Sequence, residues 1–460
     1  MRTIIAATLL LAASSVAFAE TTTPPSDADR LVSAALESSK AYDTLEELTD
    51  EIGPRLSGSP NAAAAVKWAT DRFHSWGIDV RNEKVTVPHW VRGVETGKLV
   101  SHRGQKIVLT ALGGSVATPV KGITADVVEV SSFDELKTLG KEKLQGKIVL
   151  YSAAMDMDLV RAHKSFEAYS RAVIYRAAGA SHAAEYGAAA IVVRSVASAS
   201  LRTPHTGALS YDPKQPKIPA AAVTAEDALL IHRLLAKGQR VRMQLILTPR
   251  MLPDVESANV VAEIRGREKP EEIVLIGGHL DSWDLGTGAI DDGSGAAMVM
   301  ETMRLIQQLG LRPRRTIRAV LYMNEENGTR GGRAYAADHK KELSKHIAAI
   351  ETDAGAAAPT GFTTTLKGDA LTALESRVSI LGRIGADRFE TSSETGADTA
   401  FLTEAGVPGF ELIPDPLHYF DYHHTPADTL DKIDPKELAA DSAAMVALAW
   451  VLADSEQSIR

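Results

Sequence analysis

Five short segments carry the side chains that could hold metal and move protons. They are Gly277-Gly278-His279-Leu280-Asp281, Asp291-Asp292-Gly293-Ser294-Gly295, Asn324-Glu325-Glu326, Glu351-Thr352-Asp353 and His423-His424-Thr425-Pro426-Ala427-Asp428-Thr429. Taken singly, each has an ordinary reading. Asp291-Asp292 ahead of a helix can cap its N-terminus, Glu325-Glu326 can be a solvated acidic turn, and His423-His424 an exposed pair. Gathered in one crevice, the same carboxylates and imidazoles need cations to offset their mutual repulsion. Asp291, Glu326 and Asp353 bring three negative charges, while neutral His279 and His424 bring none. Two Zn²⁺ ions neutralise that set and leave a positive balance for a bridging hydroxide. Oxygen and imidazole donors without thiolates suit zinc, with cobalt or manganese as substitutes. A metal pair sharing one nucleophile is a hydrolytic arrangement. Successive strand residues point to opposite faces, so one of Glu325 and Glu326 can reach metal while the other faces the water. Asp281 lies two residues after His279, on the same side, and can hold its imidazole through the other ring nitrogen.

The elements that must position these residues are legible after Pro253. Strands over 273–276, 316–323 and 347–350 alternate with helices over 295–308 and onward through 342, and an amphipathic helix over 435–453 closes the chain. Such alternation implies an α/β fold with a mixed, mainly parallel sheet flanked by helices. Ligands bind beyond the carboxyl ends of the strands in sheets of this kind, where His279, Glu325-Glu326 and Asp353 fall. Upstream, helical spacing shows at Leu31, Ala35 and Leu36 and again over 63–76, followed by a strand over 78–87. Over 93–253 short β-like runs (106–109, 126–130, 147–151, 190–193) alternate with Gly-, Ala- and Ser-rich connections. This predicts an inserted β-rich module, and its scattered His163, His182 and His205 read as structural.

The chain as a whole narrows the function classes. Met1-Arg2, an apolar run over 4–13 and Ala17-Phe18-Ala19 form the pattern of a secretory signal peptide cut after Ala19, too short to span a bilayer. A polar arm follows over 21–27. No cysteine is present, which excludes thiol catalysis, disulfides and a lipidated N-terminal cysteine. The expectation is a periplasmic or secreted protein without a membrane anchor. With 460 residues, the chain divides into a signal peptide over 1–19, an N-terminal part over 20–92, the insert over 93–253 and a catalytic part over 254–460. Its net charge of −9 disfavours nucleic acid and anionic membrane as partners. Pairing with a second copy is left open.

The segments Gly278-His279-Leu280-Asp281-Ser282-Trp283-Asp284, Met323-Asn324-Glu325-Glu326-Asn327-Gly328, Glu351-Thr352-Asp353-Ala354-Gly355 and Ala405-Gly406-Val407-Pro408-Gly409 resemble the M28 family of co-catalytic zinc peptidases, and within it the carboxypeptidase Q branch. The resemblance implies that Asp291 bridges two zinc ions. It implies further that His279 and Asp353 complete one site, that Glu326 and His424 complete the other, and that Glu325 is the general base. His424 is preferred to His423 because it opens the family's His-Thr-x-x-Asp-Thr pattern. Lys147-Ile148-Val149-Leu150 and Gly187-Ala188-Ala189-Ala190-Ile191-Val192-Val193 make the insert similar to a protease-associated domain. The implied activity is an exopeptidase acting on short peptides, free dipeptides above all, with Leu417, Tyr419, Phe420 and Tyr422 walling the cleft. Three alternatives accompany it. An aminopeptidase on longer peptides shares every ligand; a glutaminyl cyclase shares the fold with one metal; a binding ectodomain has lost catalysis, which the complete ligand set with Glu325 disfavours.

Overall fold

The computed structural model describes residues 25–460, so the signal peptide expected over 1–19 lies outside the described residues. Residues 273–279 of the strand Lys269–His279 are all buried, as is every residue of Arg315–Tyr322 and His346–Glu351. Strands covered on both faces read as continuous apolar runs, and they sit at the centre of the first sheet. Its order is Asp79–Val91, Arg250–Ile264, Arg315–Tyr322, Lys269–His279, His346–Glu351, Gly409–Pro414, Pro359–Thr364 and Arg388–Thr391. The four strands from Arg315–Tyr322 to Gly409–Pro414 run parallel, while Asp79–Val91, Arg250–Ile264 and Pro359–Thr364 join by antiparallel pairing. The sheet is mixed and mainly parallel.

Helices cover both faces. Asp27–Ser38, Ser294–Gln308 and Pro435–Asp454 pack on one side, where Leu31, Met298 and Leu448 share a core. Arg330–Asp338 and Ala400–Glu404 place Tyr335 and Leu402 in the core of the other. Pro435 occupies the first turn of the terminal helix and Asp434 caps it by accepting from the Lys436 and Glu437 N–H groups, a start signal worth about 1 kcal/mol. The helix expected through residue 342 ends at Asp338. The chain must turn there to enter His346–Glu351, and the His339 ring is pinned to Glu83 at 3.0 Å.

The insert forms a second eight-stranded sheet, ordered Gln105–Ile107, Glu95–Leu99, Arg242–Leu247, Ile123–Val130, Ile148–Tyr151, Ala190–Arg194, Ala220–Val223 and Leu109–Ala111. The run expected over 106–109 is split at Val108, whose N–H donates to Asp227 Oδ2 (2.7 Å). Its two halves pair on opposite edges of the sheet, so the sheet curls until Val108 alone joins them. Three helices longer than two turns accompany these strands, Phe133–Leu144, Ser165–Glu185 and Ala225–Ala236, with the short Met157–Arg161 between the first two. The second of them reaches back to the first sheet.

Candidate active site

Register levels the ends of the central strands. His279 pairs opposite Tyr322, and Gly277 opposite Glu351. His279, the turn bearing Glu325 and Glu326, and Asp353 therefore emerge at one place. The turn Ala289–Gly293 supplies Asp291, and the segment after Tyr419–Tyr422 supplies His424. Asp291 stands between two imidazoles. Its Oδ1 lies 3.1 Å from His279 Nε2 and its Oδ2 lies 3.0 Å from His424 Nε2. Asp353 Oδ1 is 3.5 Å from His279 Nε2, and Glu326 Oε2 is 3.1 Å from His424 Nε2. The Asp291 carboxylate thus stands between two pairs, His279 with Asp353 and His424 with Glu326.

These residues fit divalent metal. Four-coordinate zinc with bonds of 2.0–2.2 Å keeps its donors about 3.3–3.6 Å apart, close to the 3.0–3.5 Å spacings here. Asp291 Oδ2 and Asp353 Oδ1 are buried with no hydrogen-bond donor in line, the condition of an oxygen awaiting a cation. Two neighbours are close enough to compete. Asp292 is spent on backbone, accepting from the His279 and Gly295 N–H groups at 3.0 Å each. His423 stacks on His424 at 3.5 Å between ring centres, and with its Nε2 3.4 Å from Asp291 Oδ2 and its buried Nδ1 unpartnered it stands as a second imidazole at Asp291.

The supports differ from expectation in two respects. The Asp281 carboxylate lies 3.8 Å from His279 Nδ1, and the hydrogen bond to that nitrogen goes instead to the Asp281 main-chain carbonyl at 2.9 Å. The carboxylate is taken by Ser57 Oγ (2.8 Å) and by the N–H groups of Asn324 (2.7 Å) and Glu325 (3.1 Å). Asp281 therefore fixes the backbone of the glutamate turn, because those buried N–H groups outcompete a ring already satisfied. Second, the glutamates are not on a strand. The strand ends at Tyr322, Asn324 takes φ +77°, and a turn separates the two side chains. Glu326 is buried and also accepts from the Trp283 N–H at 3.0 Å, while Glu325 is half-buried and lines the cavity. Asp428 organises the Asp291 turn, accepting from the Ala289, Ile290 and Asp291 N–H groups at 2.8, 2.7 and 3.3 Å. Fully buried Arg55 clamps the loop between His279 and Asp291 by donating to the carbonyls of Leu280, Thr287 and Gly288 at 2.6, 2.5 and 2.9 Å.

Burial dominates the electrostatics. It pushes the Glu325 carboxyl well above its ordinary range, His279 opposing and Asp353, Glu326 and Asp291 adding to the rise. Glu326 rises for the same first reason, with Asp291 next. His279 is raised well above its usual value despite burial, because Asp353 and Asp291 favour the imidazolium. Binding of a divalent cation to carboxyls and an imidazole held above their ordinary ranges is coupled to proton release.

A cavity of about 220 Å³ opens on this cluster. Glu325, Glu326 and Asp353 form one wall; Tyr419, Phe420 and His423 form a second; Phe166, Tyr169 and Arg176 of the insert form a third. Of the aromatic wall expected at 417–422, Tyr419 and Phe420 face this cavity, whereas Leu417 and Tyr422 line an adjoining one. None of the three insert histidines named above joins the cluster, and neither do His102, which lies 2.9 Å from Gln239, and His232, which pairs with Glu129 at 3.0 Å. His163 pairs with Asp415 at 2.7 Å, His182 stacks on Phe133, and burial pushes His205 down to about 3. Two insert residues touch the His424 ring itself. The Thr206 carbonyl lies 3.3 Å from His424 Nδ1, and the Thr206 N–H donates to the His424 carbonyl at 3.0 Å. Arg176 stands beside the same ring. Sequence spacing gave no sign of Thr206; the helical period of 165–185 was the available signal for Arg176.

Comparison with known proteins agrees with this architecture. The profile of peptidase family M28 matches residues 259–450, and that of the PA domain matches residues 96–231. Carboxypeptidase Q from Homo sapiens is 41% identical, the match covering 91% of this chain and 86% of that protein. A crystal structure of a peptidase M28 precursor from Shewanella amazonensis superposes with a TM-score of 0.90 at 40% identity, covering 94% of this chain and 97% of its own. A zinc aminopeptidase from Bacillus subtilis shares the fold, with a TM-score of 0.67 at 22% identity and coverage of 91% and 96%.

Proposed function

The chain belongs to peptidase family M28, and from that membership and the shape of its cavity we propose that it is a co-catalytic two-zinc exopeptidase that splits short peptides, free dipeptides above all. The observation that carries the substrate is the size of the cavity at the cluster. Walls from the peptidase sheet and from the insert leave about 220 Å³, below the roughly 300–1,000 Å³ of sites for larger ligands. The 41% identity to carboxypeptidase Q supports a hydrolase of peptides with a free carboxyl end. The signal-peptide pattern over 1–19 supports export to the periplasm or medium, and no helix among the described residues is long and apolar enough to cross a membrane.

The ligand assignment is the one the family resemblance implies, and the distances support it: Asp291 would be shared by both ions, His279 and Asp353 would complete one site, and Glu326 and His424 the other. When bound, such a pair supplies Lewis-acid activation of water and of the scissile carbonyl. The chain's own residues do the rest. Asp281 holds the backbone of Glu325 so that its carboxylate faces the cavity. Glu325 takes a proton from the attacking water and delivers it to the departing amine nitrogen. The Thr206 carbonyl accepts from Nδ1–H of His424, which leaves the Nε2 lone pair directed at Asp291 and Glu326.

The deciding experiment incubates the zinc-loaded protein, its metal content counted, with unblocked dipeptides, N-acylated dipeptides and longer peptides. Two zinc equivalents and fastest cleavage of unblocked dipeptides are expected. One equivalent of metal removes the co-catalytic assignment. Faster removal of N-terminal residues from long peptides replaces the dipeptidase with an aminopeptidase.

A further inference from the structure

Arg176 is a buried cation without an acid. It lies within the insert's helix Ser165–Glu185, is 9% exposed, and forms no salt bridge among the described residues. Its Nη1 is 3.3 Å from the Thr206 carbonyl and 3.4 Å from His424 Nδ1, its Cζ lies 5.5 Å from the Tyr169 ring centre, and its Nε has no partner. His424 cannot satisfy it, because an Nδ1 that donates to Thr206 has no lone pair to offer; that tautomer is assigned from the hydrogen-bond partners. Space for the guanidinium is built in. A Cβ at Gly207, which takes φ +137°, would lie 2.3 Å from Cζ and 2.4 Å from Nη1.

A lone buried charge is costly, and buried arginines are ordinarily matched by an anion. Arg176 lines the same cavity as Glu325, Glu326 and Asp353, but from the insert side. The cavity is therefore bipolar, with the acidic cluster on one wall and one guanidinium on another. A free dipeptide has the complementary pattern, a scissile carbonyl for the cations that the acidic wall would hold and a carboxylate one residue beyond it for the guanidinium.

Resting on the dipeptidase reading above, we propose that Arg176 binds the substrate's free C-terminal carboxylate and so restricts the enzyme to peptides that end one residue past the scissile bond. A guanidinium offers two parallel N–H donors to a carboxylate, which an ammonium cannot. The site is thus completed across the domain boundary, with the insert supplying specificity.

The test compares kcat/KM for alanyl-alanine and for its C-terminal amide in the zinc-loaded wild type, Arg176→Met and Arg176→Lys, with metal content measured in each. The wild type is expected to favour the free dipeptide by about 30-fold or more. In Arg176→Met that ratio collapses toward one, through a raised KM for the free acid and with zinc retained; Arg176→Lys is intermediate. A Met variant that still discriminates like the wild type overturns the inference, as does one that loses zinc and both substrates in parallel. Should the Met variant not fold, a Lys variant with an unchanged ratio overturns it instead. A wild type that does not discriminate defeats the dipeptidase reading itself, and Arg176's role with it.

Discussion

Glu325 and Glu326 are adjacent in sequence and opposite in circumstance. Glu326 is buried between His424 Nε2 and the Trp283 N–H, both of its oxygens engaged at 3.1 and 3.0 Å. Glu325 is half-buried, faces the cavity and is fixed only through its backbone, by Asp281. A side chain with a free carboxylate beside the proposed metal ligands is placed to move protons, and its removal should spare the metal. Glu325→Gln is expected to keep both zinc equivalents while turnover falls roughly 10²–10⁴-fold, the usual worth of a general base. Asp291→Ala is the contrast, since it leaves the remaining carboxylates facing one another. It is expected to lose zinc and, with it, the stabilisation that bound metal gives the folded state. Metal analysis, steady-state kinetics and thermal melts on both variants check the pair. Near-normal turnover in the first, or two tightly held zincs in the second, would exchange or cancel the roles assigned here.

At the scale of elements, His339 shows how a helix end is tied to a strand. Its Nε2 lies 3.0 and 3.1 Å from the Glu83 carboxylate, and its Nδ1 is 3.2 Å from Glu342. Burial opposes the imidazolium, but Glu83 and Glu342 outweigh it and raise the pKa above the ordinary value near 6.5. A raised folded-state pKa contributes stability that is complete below about pH 6.5 and disappears as pH rises through the higher folded value. His339→Gln is therefore expected to lower Tm more at pH 6 than at pH 9. Equal losses at both pH values would mean that packing, not charge, holds the joint. Much of this architecture was legible. Strands at 273–276, 316–323 and 347–350 announced themselves because burial on both faces makes them largely apolar, Thr316 and Arg318 apart, and the proposed site residues stand at their ends. The helix Ser165–Glu185 did not, because its buried stripe is Ser165, Ala168, Ala172, Arg176, Gly179 and Ala180, spaced as a helix but too small and polar to register as hydrophobic. Arg176 and Thr206 went unread for a related reason. Each acts on His424 from more than two hundred residues away, and no local spacing encodes that meeting.

At the scale of the whole molecule, the insert and the peptidase sheet are one device, joined at a glycine. Gly113 lies in the insert, donating its N–H to the Gly207 carbonyl at 2.9 Å and accepting from the Leu209 N–H at 3.0 Å. The segment it pairs with carries Thr206, which holds both the ring and the backbone of His424. Across the seam, Trp283 of the peptidase part packs its ring directly on Gly113; a Cβ there would fall 1.9 Å from Cη2 and 2.4 Å from Cζ3. Such an overlap cannot be absorbed in place, so the indole must move. The Trp283 ring stands edge-on to His424 with 5.7 Å between centres, and its main-chain N–H donates to Glu326 Oε1 at 3.0 Å, so a displaced indole presses on His424 directly and on Glu326 only through the backbone. The bidentate pair of Arg92 with Asp284, at 2.6 and 2.8 Å, holds the next residue and keeps the loop from retreating freely. Displacement therefore falls on the Glu326–His424 side of the cluster, while His279 and Asp353, carried by the sheet, are untouched. Gly113→Val is expected to weaken one of the two metal positions selectively, with Gly113→Ala milder in the same direction. Under graded chelation followed by metal analysis, the variant should lose its first zinc equivalent at lower chelator concentration than the wild type and its second at the same concentration. If both equivalents leave together, or neither shifts, the seam does not set the metal site, and the insert is a lid resting on an independent peptidase.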